Sequence, residues 1–251
     1  MKNKKIFTII SVLILSVLGL FLSVRVYSIY SINKVIAHNG GVGNINRLKE
    51  RKVNIIGEFS SAHAKIELDF VMINTEFMFE KVNPIGLLRP NHNLHVYYYE
   101  EGDVFKSITI MNGSKEPSLV DGFMSYNNDK RKLQSVIGEE YLRSDYELTT
   151  FFYGFQPDSV NFLSTLDDIQ IAMASMVFRS VYIPFYGNLY SFNLDNKYRG
   201  LQFGEADSNR DVRVNVYDKS KLLIKFVFHN MTQKEVDFAL STMEVKNQPD
   251  L

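Results

Sequence analysis

The chain opens on an unbroken apolar block and then changes to alternation. From Ile6 to Val24 there are nineteen consecutive uncharged residues, which at about 1.5 Å per residue nearly span a hydrocarbon core of roughly 30 Å. A cleaved signal usually has an h-region of about 7–15 residues that ends at small residues. Here a cut after Gly19 would leave Leu20, Phe21 and Leu22 behind. A retained signal anchor over residues 1–32, spanning the membrane through 6–24, is therefore favoured over cleavage. A buried core helix fits poorly behind Lys2, Lys4 and Lys5. With only Arg25 and Lys34 following closely, the positive-inside bias puts the N-terminus in the cytoplasm and the body on the periplasmic side of the inner membrane.

Beyond the block, VYSIYSINKVIAH reads as a short juxtamembrane helix, and Gly40, Gly41 and Gly43 as a linker, since no Lys-Ser/Thr follows to make a phosphate loop. Alternation then dominates two stretches that align without a gap, 118 residues apart: LHVYYYEEGDVFKSITIMNGS from Leu94 and VRVNVYDKSKLLIKFVFHNMT from Val212. In each, β-branched and apolar residues alternate on both sides of a polar turn, Glu100 to Asp103 or Asp218 to Lys221, as a hairpin requires. Helical spacing follows each hairpin. Thr232 and Glu235 form a capping box ahead of Val236, Ala239, Leu240 and Met243; the earlier counterpart, with Leu119, Val120, Phe123 and Met124, is shorter and interrupted by Gly122.

Upstream of the hairpins the spacing predicts two long helices. In AKIELDFVMINTEFMFEKVNP, Ile66, Phe70, Ile73 and Phe77 fall on one helical face; in TLDDIQIAMASMVFRSVYIP, Thr165 and Asp168 supply the cap and Ile169, Met173, Met176 and Val177 the face. LYSFNL and YRGLQFG read as an extra strand pair. The expectation is an α+β fold: an N-terminal transmembrane helix, then two related helix–antiparallel-sheet modules over 33–140 and 141–251, with one larger α+β domain as the alternative.

Two aromatic clusters stand out as candidate partner-binding residues. One is Phe151, Phe152, Tyr153 and Phe155, behind a further capping box at Ser144 and Glu147; the other, around Pro184, holds Tyr182, Phe185, Tyr186 and Tyr190. Clustered aromatics give a partner large contact area at low entropy cost, although filling a core uses the same residues.

Charge and composition narrow the functional classes. The net charge is zero, but residues 1–33 contain four basic residues and no acid, leaving the remainder with 24 basic against 28 acidic residues. A mildly acidic body argues against nucleic acid as a partner. The absence of cysteine removes disulfides, thiolate catalysis and cysteine zinc sites. Among the histidines only His92 and His95 are close enough to consider as ligands, and neither a His-Glu-x-x-His nor a Gly-x-Ser-x-Gly pattern occurs. The acid pairs Glu100/Glu101, Glu139/Glu140 and Asp167/Asp168 are adjacent in sequence, unlike carboxylates presented across a cleft. No cofactor or metal is expected, and the non-enzymatic reading leads, with an enzyme whose residues are scattered in sequence as an alternative.

An N-terminal anchor, a Cys-free α+β body, the capped TLDDIQ helix, YRGLQFG strands and the closing MTQKEVDFALSTM segment together resemble envelope-located immunity proteins encoded beside bacterial type VI secretion effectors. The terminal hairpin and helix are similar to the Mog1/PsbP-like sandwich of several small binding proteins. The resemblance covers roughly Thr165 to Met243. It implies stoichiometric binding of a secreted protein toxin, with no catalytic residues to carry over. A structural or assembly subunit of an envelope machine is the competing expectation.

Overall fold

The computed structural model describes residues 2–38, 47–54, 64–82, 93–126, 130–181, 188–194, 197–206 and 211–246. It begins with α1 (Lys2–His38), followed by β1 (Leu48–Glu50), β2 (Ala64–Glu67), β3 (Val71–Thr75), β4 (Glu80–Val82), β5 (Leu94–Glu101) and β6 (Val104–Asn112). Four helices come next: α2 (Leu119–Tyr126), α3 (Lys130–Ile137), α4 (Asp145–Gly154) and α5 (Leu166–Val181). The chain closes with β7 (Leu189–Leu194), β8 (Tyr198–Phe203), β9 (Val212–Asp218), β10 (Lys221–His229), α6 (Gln233–Ser241) and β11 (Glu244–Val245).

The fold is α+β, an N-terminal apolar helix followed by a mixed sheet and helices. The apolar block and the juxtamembrane segment form one continuous helix, and Ser23, Ser28 and Ser31 return their hydroxyls to carbonyls four residues back at 2.8, 3.0 and 2.9 Å. Those bonds hide the hydroxyls within the helix itself. This helix is long and apolar enough to cross a membrane, and none of its most apolar stretch is buried against the body.

Both hairpins form where the alternation puts them. They join edge to edge, β6 against β10, in one eight-stranded sheet of order β1-β7-β8-β9-β10-β6-β5-β4 that is antiparallel except at β1 and β7. Gly102 turns the first hairpin at φ +59, a left-handed conformation that glycine adopts without a Cβ penalty. A second small sheet, β11-β3-β2, and α6 cover one face of the large sheet, burying Ile73, Ile108, Ile110, Val214, Phe226 and Val236. Helices α2 to α5 cover the β1, β7, β8 and β9 part of the other face around Phe123, Phe152, Phe178, Leu201 and Tyr217.

Of the helix predicted over 64–84, the described residues 64–82 form β2, β3 and β4 instead. Ile66 and Ile73 meet as a cross-strand pair around a tight turn, and burial along β3 alternates residue by residue. Three β-branched residues in five, Val71, Ile73 and Thr75, favour that pleated surface, and the four-three-four spacing arises from two strands folded back on each other. The predicted α5 helix forms, and Thr165 and Asp168 exchange both capping bonds, but its buried residues are Ile169, Ala172, Ser175, Met176, Phe178 and Arg179. Met173 and Val177 lie on its exposed side. Gly122 does not interrupt α2.

Two capping predictions have different outcomes. Thr232 and Glu235 make the full box. Ser144 accepts from the Glu147 N–H at 3.3 Å, but the Glu147 carboxylate turns away to pair with Arg199, which stacks over Tyr146.

Candidate functional site

The body packs on α1 through a small apolar seam. Ile32 and Ile36 on α1 bury against Val160, Ile169, Ala172 and Met176, with Ile29 and Phe155 at the edge. Because α1 emerges from its apolar run directly into this seam, the body is held against the helix rather than hung on a linker.

The predicted aromatic residues separate into inward and outer sets. Phe152 and Tyr153 are core residues at 0% and 3% exposure, enclosed by Phe123, Phe178 and Phe203, so their rings have no face to offer a partner. Phe151 is half-buried against Tyr141, and Phe155 borders the α1 seam. Tyr190 is half-buried on β7, donating to Glu205 at 2.8 Å while Lys49 lies over its ring. Tyr182, Phe185 and Tyr186 lie outside the described residues. The first cluster turns inward because α4 needs a large apolar filling between α5 and the sheet. Arg179 completes that packing: it is 1% exposed, donates to the carbonyls of Phe152 and Phe155, and stacks on Tyr153. Its charge meets the carbonyl end of α4, a favourable site for a cation, and burial draws its pKa down to about 10.

Among the described residues a different surface is open. There helices cover the sheet as far as β9 and Leu222, and the continuing face of β10, β6, β5 and β4 leaves Val227, Thr109, Val96 and Val82 half-buried in one cross-strand row. Beside it run His229, Ser107, Tyr98 and Glu80, and at the hairpin end Phe105 is 43% and Val104 45% exposed. Phe105 lies against His229 at 5.8 Å, and its carbonyl accepts from Asn230, a residue at φ +54 that ends β10. This bond fixes the hairpin tip to the neighbouring strand.

The rim of this face is acidic. Tyr98 donates to Glu80 at 3.2 Å, His229 contacts Asp211 at 2.7 Å, and Glu100 and Asp103 are exposed at the turn. The charge of Glu80, with its hydrogen bond, holds the Tyr98 phenol above its ordinary pKa. The arrangement is a β-branched row flanked by Tyr98 and Phe105, with acidic side chains at its border. Sequence reading passed over Phe105 because it is a single ring within a strand. The available signal was its phase: it shares the polar register with Ser107 and Thr109, opposite Ile108 and Ile110.

The histidine pair does not form a metal centre among the described residues. His95 packs on Phe70 at 5.8 Å, with burial holding its pKa below the ordinary value, and His92 lies outside the described residues. No group of three or more His, Asp or Glu able to hold a metal occurs among the described residues. No family model, curated protein or solved structure matches this chain. Function is therefore read from the surface itself.

Proposed function

We propose that this chain is a single-pass, inner-membrane immunity protein whose body faces the periplasm and neutralises a secreted antibacterial toxin by binding it. The observation that carries the reading is the open face of β4, β5, β6 and β10, bearing Tyr98 and Phe105 beside a β-branched row and an acidic rim, on a body packed directly against an anchor-length helix. The face lies at the β4 edge of the sheet. Across seven strand spacings of about 4.8 Å, that edge is roughly 34 Å from β1.

Size bears on how a partner would sit. Strands β5, β6 and β10, of eight or nine residues, with the three-residue β4 beside them, give a flat footprint of at most about 19 by 28 Å, below the roughly 800 Å² per partner of a standard interface. A toxin docking here would therefore also grip the hairpin tip at Val104 and Phe105. The acidic rim would speed encounter with a basic enzyme, and binding alone, without chemistry, would block its active site. The test is co-expression with the secreted product encoded beside this gene: toxicity unchanged by this protein counts against the proposal.

A second reading, an assembly subunit of an envelope machine, draws on the exposed groove of about 480 Å³ along α1, lined by Leu22, Ser23, Val26, Tyr27 and Tyr30. Replacing residues 6–24 with an unrelated apolar span separates the two, because an inhibitor survives that exchange and an assembly subunit does not.

A further inference from the structure

We infer that the loop between α4 and α5 forms a second membrane contact, with Phe162 and Leu163 entering the boundary between lipid headgroups and acyl chains beside the anchor. The inference rests on the reading of α1 as a membrane anchor. Leu163 is 90% exposed, Phe162 50% and Leu166 44%, an apolar tip that the body leaves uncovered.

Three observations place this tip at one level of the anchor. The Phe162 ring lies 5.7 Å from the Arg25 guanidinium, and Arg25 is the residue that ends the apolar run from Ile6 to Val24. The other described contacts between α1 and the body, through Ile29, Ile32 and Ile36, all lie further from that run. One turn beyond Arg25, Tyr27 and Tyr30 are 71% and 61% exposed. Such tyrosines belong at the headgroup level, where an apolar body and a polar tip are both satisfied. Arg25 therefore marks the membrane surface, and Phe162 sits on it.

The chemistry of the neighbours selects the kind of lipid contact. Asp167 and Asp168 occupy the first turn of α5, immediately behind the tip, so anionic headgroups gain nothing there. The contact is thus an apolar wedge at the interface, insensitive to the fraction of acidic lipid. Its consequence is orientational: a helix alone lets the body swivel about its axis, whereas helix plus wedge fixes which way the sheet face points.

The chain contains no tryptophan, so one substitution makes a unique optical probe. Full-length L163W and V17W are reconstituted separately into phosphatidylcholine vesicles, with and without phosphatidylglycerol, containing lipid brominated near the headgroup or near the chain end. Trp at position 163, fully exposed in the protein, disturbs no packing. The expected result is blue-shifted emission from position 163, quenched most by shallow bromine and equal in both lipid mixtures, with position 17 quenched most by deep bromine. Quenching at 17 with water-like, unquenched emission at 163 overturns the wedge while the anchor stands. Quenching at 163 without 17 overturns the anchor and with it the wedge as a second contact beside it, and quenching at neither overturns both.

Discussion

Lys106 Nζ lies 2.5 Å from Glu235 Oε1, and the pair is almost fully buried between the first hairpin and the last helix. Glu235 also closes the α6 capping box, its other oxygen accepting from the Thr232 N–H at 2.7 Å. Lys106 in turn lies 4.7 Å from the Phe77 ring centre. One carboxylate thus fixes the start of α6 and ties it across β10 to β6.

Removing one charge of that pair should be costly. E235Q, which keeps a capping side chain, is expected to lower stability by about 3 kcal/mol because it strands a buried ammonium. The double variant K106M/E235Q should recover part of the loss. Urea unfolding of the full chain in detergent micelles measures both; a double variant no more stable than E235Q would show that the charge pair is not the cause.

The seam between α1 and α5 predicts where the body can be separated from the apolar part of α1. A chain beginning at Arg25 keeps Ile29, Ile32 and Ile36 and should fold as a soluble monomer. One beginning at Gly40 exposes Ile169, Ala172 and Met176 and should aggregate or melt earlier. Within the longer version, I36A should cost about 2–4 kcal/mol as a core truncation. Sedimentation and thermal unfolding test this, and equal melting of the two chains would contradict it.

High pH should destabilise the α4 core through Tyr153. Burial pushes its phenol up to about 12 from an ordinary 10.0, so above pH 10 the unfolded chain releases a proton that the folded chain retains. Stability from this group is complete below pH 10 and declines toward pH 12, by about 2–3 kcal/mol in all. Lysines and other tyrosines titrate over the same range. The informative quantity is therefore the difference between wild type and Y153F across pH 9 to 12, which should fall with pH; a flat difference would remove the assignment.

Core and surface aromatics should behave oppositely on mutation. F152A should cost about 3–5 kcal/mol and reduce folded protein. F105A, at an exposed strand position, should change stability by no more than about 0.5 kcal/mol while weakening partner binding. Comparing soluble yield with protection against the toxin separates a stability defect from an interface defect.

Strict alternation made both hairpins legible in the sequence, because a period of two with a polar turn has few other uses. The α6 box was equally legible in Thr232 and Glu235. Residues 64–84 misled because Ile66, Phe70 and Ile73 match a helical face by coincidence, and only cross-strand pairing with neighbours sets their register. The union of the hairpins through β6 and β10 is a long-range contact with no local signature. The candidate surface was hidden for a related reason: whether an aromatic faces in or out depends on which sheet face the helices cover, and α4 draws Phe152 inward while no described helix covers Phe105.

The most direct measurement of the central claim is survival of cells that export the adjacent gene's product to the periplasm while producing wild-type, F105A or anchor-exchanged protein at matched levels. Wild-type and anchor-exchanged proteins are expected to restore growth, and F105A, though folded, to lose much of the protection. Growth inhibition that is the same with and without the wild-type protein would contradict it.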